Sequence, residues 1–159
     1  MTRVLSILLV LTAIVAPIGA AQDKPAADNP NFSGTWKLTD PAQPDQFTAT
    51  QIVVSQDASQ LTVVTTSQMG DFKTTYPLDG STGRSPLEFN GMNIDRATKM
   101  VWNDKKLTLT TTSEMNGQTF EFKSVVSAGA DGSMVVESTF PDFQGGGAPI
   151  TAKAVYKKS

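Results

Sequence analysis

The chain contains no histidine and no cysteine. That removes the commonest general base, the commonest transition-metal ligand and the nucleophile–base pairs built on either. Carboxylates, hydroxyls, lysines and arginines remain. A paired-carboxylate site needs two acids converging in a cleft. Asp95, Asp104, Asp131 and Asp142 fall mostly at turn positions, where an Asp side chain accepts hydrogen bonds from its own backbone. No Asp-x-Asp-x-Asp spacing offers oxygen ligands to a metal. The residues therefore predict no enzyme, no metal and no cofactor.

Binding is the better-supplied chemistry. Phe72, Tyr76, Met100, Trp102, Phe120, Phe122 and Tyr156 fall on one phase of alternating segments, as does Met134. Together with Arg96 the first seven are the candidates for holding a small apolar or amphipathic molecule. Each also has a plainer reading as ordinary core. Arg84 and Arg96 are the only arginines beyond Arg3, and they flank an irregular stretch carrying Asn90 and Asn93. They either rim a mouth and meet an anionic headgroup, or are solvated loop charges. The run Gln144-Gly145-Gly146-Gly147 reads as a mobile flap or as a slack connection.

Strands must position these side chains. Phe32-Ser33-Gly34-Thr35-Trp36-Lys37-Leu38 alternates an apolar with a polar face, the period of a half-buried strand. Gly34 leaves room beside the Trp36 ring, and Trp36 is expected to pack the floor. Further strands are expected over 47–55, 61–66, 72–78, 97–103, 107–112, 119–126, 134–140 and 150–157, each rich in β-branched or aromatic residues. Turns fall between them, with Asn116-Gly117 the strongest two-residue hairpin signal. Pro77 cannot donate to a ladder, so it belongs at a strand end or an edge. Outside the first twenty-odd residues no window carries helical periodicity.

Leu61-Thr-Val-Val-Thr-Thr-Ser-Gln-Met69 resembles Leu107-Thr-Leu-Thr-Thr-Thr-Ser-Glu-Met115. Phe72-Lys73 then recurs as Phe122-Lys123, and Asp79-Gly80-Ser81 as Asp131-Gly132-Ser133. The reading is a duplicated four-stranded half; threonine-rich hairpins that look alike by composition are the alternative.

The beginning of the chain reads as an export signal. Arg3 supplies the charge, Val4 to Val15 the apolar run, and Gly19 and Ala21 the small residues before a cut. The apolar run is short for a membrane anchor. The expected organisation is a signal peptide over 1–21, a flexible lead-in over 22–31 and one domain over 32–159, periplasmic or extracellular. With no cysteine, neither a lipid attachment site nor a disulfide framework exists. The formal net charge is −2 with 13 basic and 15 acidic residues, and no basic stripe suggests nucleic acid. A monomer that does not insert into a membrane after cleavage is expected.

The opening Phe32-Ser33-Gly34-Thr35-Trp36-Lys37-Leu38 resembles the Gly-x-Trp first strand of the calycins, and within them the Phe-x-Gly-x-Trp-Lys-Leu of fatty-acid-binding proteins. Ala154-Val155-Tyr156-Lys157 is similar to the end of the same fold. The resemblance implies an all-β, antiparallel up-and-down lipocalin-like β-barrel, here of about eight to ten strands. It also implies a ligand in the barrel. Two departures stand out. Fatty-acid-binding proteins hold the ligand carboxylate with an inward Arg-x-Tyr on the last strand, and here Ala154 stands in the arginine's place before Tyr156. Lipocalins lay an arginine across the Trp, and here the candidates are Lys153 and Lys157, both out of phase with Tyr156. The helical lid of the fatty-acid-binding proteins has no counterpart in the short, proline-bearing segment 39–45. Two functions stay open: a carrier of a small hydrophobic or amphipathic ligand, and a filled-core structural or protein-interaction domain of the cell envelope.

Overall fold

The computed structural model describes residues 29–41, 48–89, 91–115, 117–141 and 147–159. The expected export signal, most of the lead-in, Asn90, Asn116, Asp142 and the glycines of 145–146 lie outside them. The described residues form strands β1 (Gly34–Pro41), β2 (Gln51–Gln56), β3 (Gln60–Ser67), β4 (Gly70–Pro77), β5 (Thr82–Arg84) and β6 (Leu87–Phe89). They continue as β7 (Met92–Asn103), β8 (Lys106–Met115), β9 (Gln118–Ala128), β10 (Met134–Phe140) and β11 (Ile150–Lys158). No helix occurs among the described residues.

The strands lie in the order β4-β3-β2-β1-β11-β10-β9-β8-β7-β5, with β6 also on β7. Each strand pairs antiparallel with its sequence neighbours wherever a hairpin joins them. The pairing of β1 with β11 brings the two ends of the domain together. This is the expected up-and-down barrel, an arrangement that leaves few unpaired edges. The strands exceed the expected eight to ten because Thr82–Arg84 and Leu87–Phe89 each pair with β7. The sequence expectation reads 79–83 as a loose turn and leaves 84–95 irregular, since Pro86 and Gly91 interrupt it. At the seam, β5 lies against β4: a Cβ on Gly83 would stand 2.9 Å from Pro77 Cδ. Among the described residues no ladder joins β4 to β5, so the barrel is closed there by packing.

The turns follow from local chemistry. Asp104 and Lys105 have φ of 48° and 63°, and Asn103 pairs with Lys106 across them. Two left-handed central residues match the twist of a two-residue hairpin. At two other turns Asp79 and Asp131 accept hydrogen bonds from the backbone N–H of Ser81 (2.9 Å) and Ser133 (3.1 Å). Those bonds favour the ionised form and lower both carboxyl pKa values, with the Ser81 and Ser133 side chains the leading cause. The repeated segments thus occupy like places. Leu61 and Leu107 begin β3 and β8, Phe72 and Phe122 lie on the strands that follow, and the Asp turns close each unit.

One end of the barrel is filled. Phe32, Trp36, Ile52, Val54, Leu61, Leu78, Met100, Leu107, Met134 and Tyr156 are buried in a single cluster. Trp36 donates its Nε1–H to the Phe32 carbonyl at 2.8 Å, so the buried indole leaves no orphan donor. Phe32 stacks on Trp102 with centroids 6.1 Å apart. A cation does cross Trp36, but from Lys158 and not from Lys153 or Lys157. Lys158 pairs with Trp36 in the ladder, and its Nζ lies 5.6 Å from the ring centroid. Its position shares the phase of Tyr156, one residue beyond the strand end that the sequence suggests. Gly34 has a φ of +135°, a backbone conformation that side chains rarely adopt, so glycine is favoured here.

Candidate functional site

Moving away from the floor, the inner face changes from hydrocarbon to hydroxyl. On β7 and β8, Thr98 follows Met100 and pairs with Thr111, and their hydroxyls share a hydrogen bond of 2.8 Å. On β9 and β10, Ser124 pairs with Ser138, and their hydroxyls share one of 3.0 Å. Thr98 is 1% exposed and Ser113, farther along β8, is 3% exposed, so this belt belongs to the interior. The pairing satisfies groups that would otherwise cost about 1–3 kcal/mol each when buried alone.

The two walls of the belt differ in bulk. β9, β10 and β11 turn Ser124, Ser138, Ala152 and Ala154 inward. These side chains are too small to reach the barrel axis. They leave a half-open cleft of about 310 Å³ bounded by Ile52, Phe122, Val136, Phe140 and Tyr156. That volume is at the low end of the ~300–1,000 Å³ usual for ligand sites. Thr48 and Ala49, just before β2, close one side.

Tyr156 forms the cleft's base. Its ring is 3% exposed and its hydroxyl donates to the Ala49 carbonyl at 3.0 Å. Burial disfavours the phenolate and pushes the pKa up to about 12. The hydroxyl is therefore a fixed, neutral donor already spent on the backbone, tying β11 to the approach to β2.

The other sequence candidates are spread around the barrel. Phe122 lines the cleft beside Tyr156. Met100 is buried in the floor, with Trp102 and Tyr76 packed against the same cluster. The Trp102 Nε1–H is buried without a partner. Phe72 and Phe120 are half-buried on the inner face nearer the open end, opposite Thr65 and Ser113. Arg96 lies on the inner phase of β7 and donates from Nε to the Ser85 carbonyl at 3.2 Å. It is not among the residues lining the cleft. Arg84 binds Asp95 at 2.7 Å on the exposed outer surface, and Asn93 is exposed. Asp95 faces Glu114 across the β7–β8 ladder. That pair of carboxylates stands on the convex side and not in a cleft.

Phe140, Val136, Ser124, Ser138, Ala152 and Ala154 also line the cleft and are not among the candidates that the sequence offers. A signal for them exists: two alanines, Ala152 and Ala154, occupy successive inward positions of Ile150–Lys158 before Tyr156.

No family model matches the chain, and no curated protein matches it. Among solved structures it is similar to one described as "REP1-NXSQ fatty acid transporter". The likeness covers 80% of this chain and 95% of that one, at 11% sequence identity and a TM-score of 0.56. Such a likeness shows the fold, an antiparallel β-barrel. It leaves function to the site.

Proposed function

We propose that the protein is an exported carrier that holds a small hydrophobic or amphipathic molecule non-covalently in the cleft between β9, β10, β11 and the start of β2. It binds without turnover and acts as a monomer in the periplasm or outside the cell. The single observation that carries this reading is the hollow wall. Ser124, Ser138, Ala152 and Ala154 open about 310 Å³ beside the buried apolar cluster, with Phe122, Phe140 and Val136 as its apolar surface. The fold likeness to a fatty acid transporter supports the same reading.

The test combines native mass spectrometry of the protein from its own envelope with uptake from a mixed lipid extract. A co-purifying small molecule, or uptake of one species, is the expected result. Ala152→Leu fills the cleft from its own wall. It should abolish uptake while changing stability by less than about 1 kcal/mol, because the added carbons enter open space and not a packed core. A clean mass with no uptake, and a protein partner recovered instead, would move the assignment to a filled-core interaction domain.

A further inference from the structure

The charge and hydrogen-bonding capacity of the cleft narrow what it holds, and this step rests on the carrier reading above. We infer that the ligand is an uncharged amphiphile whose polar end carries a hydroxyl or carbonyl oxygen, and that it meets the Ser124–Ser138 pair.

Three observations converge. First, among the described residues no lysine or arginine of β9, β10 or β11 alternates toward the cleft. The inward position two residues before Tyr156 is Ala154. Lys123 and Lys153 border the cleft, but they alternate to the outer face and are exposed, and Glu137 stands opposite Lys153. Arg96 belongs to β7, outside the lining, with its Nε committed to Ser85. A carboxylate seated there would be stripped of water with no partner, which costs far more than burying a neutral group.

Second, the Tyr156 hydroxyl cannot donate to a ligand, since its proton goes to the Ala49 carbonyl. Third, the serine pair is only half spent. Two hydroxyls sharing one hydrogen bond use one proton, so one O–H and several lone pairs remain. That remainder matches one carbonyl or alcohol oxygen. The apolar body of the molecule then lies along Phe122, Val136 and Phe140.

The test titrates the full protein with decanol, methyl decanoate and decanoate at neutral pH, following displacement of a fluorescent apolar probe. Decanol and the ester should each bind at least about tenfold more tightly than the carboxylate. Replacing both Ser124 and Ser138 by Ala leaves neither hydroxyl unpaired, so the fold is kept. That double variant should weaken decanol by about fivefold, the worth of one hydrogen bond. Arg96→Gln should leave decanol binding unchanged.

If decanoate binds as tightly as decanol, and Arg96→Gln or removal of the Lys153 charge abolishes that binding, the neutral-ligand inference fails and the carrier reading survives. If none of the three binds, both fail together.

Discussion

The two ends of this barrel are built from the same strands and the same alternation, yet one is solid and the other hollow. At the floor, the inward positions carry Trp36, Met100, Leu107 and Met134, and the interior is filled. A few ladder steps along, β9 to β11 carry Ser124, Ser138, Ala152 and Ala154, and a cleft remains. A barrel of about eight strands is just wide enough either to be filled or to hold one small ligand, and the interior widens as strands are added. Here one end is filled and the other keeps a cleft, and side-chain volume at inward positions decides which. Stability and binding should therefore be separable along the barrel axis.

The floor supplies the largest expected effect. Leu107 is 1% exposed and paired with Val126 on one side and Trp102 on the other. Leu107→Ala should cost about 2–5 kcal/mol, transfer and cavity terms together, read from a urea denaturation midpoint at unchanged slope. Ala152→Leu, at the hollow wall, should leave that midpoint nearly in place. If the two substitutions cost the same, the division into a packed and a hollow end is wrong.

The floor was legible in the sequence for a physical reason. Large apolar residues spaced two apart announce buried strand faces, so Phe32 to Leu38, Phe72 to Leu78 and Phe120–Phe122 are read correctly as inward. The cleft was harder to read because it is made by absences. Ala152 and Ala154 carry no chemistry of their own, whereas the large inward residues Met100, Trp102 and Tyr76 stand out in the sequence and pack the floor. Lys158 was missed for a smaller reason. The last strand runs one residue past its apolar pattern, and that one residue reverses the face.

Tyr156 sits on the boundary between the two ends, and its titration sharpens the comparison. The unfolded chain ionises this tyrosine near its ordinary value of 10.0, while the folded chain holds the proton to about 12. Unfolding therefore releases a proton between those values, and stability falls with rising pH across that window. Below it the contribution is constant. Tyr156→Phe should lose about 1 kcal/mol at neutral pH through the Ala49 hydrogen bond. It should also lose the alkaline fall that Tyr156 contributes. Thermal melts of both proteins from neutral to strongly alkaline pH check both points. A wild-type curve parallel to that of Tyr156→Phe throughout would mean that the tyrosine is not buried as described.

The smallest effect tests the floor from outside. Lys157 and Lys158 are adjacent in sequence and both exposed, but alternation gives them different neighbours. Lys157 lies 3.7 Å from Asp131 in a surface ion pair, a class that contributes about 0–1 kcal/mol and often nothing. Lys158 spans the Trp36 ring, an arrangement worth about 0.5–1 kcal/mol at an exposed site. Lys158→Ala should therefore lower the melting temperature detectably, and Lys158→Arg should restore it, since the guanidinium stacks on an indole as well. Lys157→Ala should do neither. Equal effects from the two lysines would show that net charge, and not the contact with Trp36, is what the floor responds to.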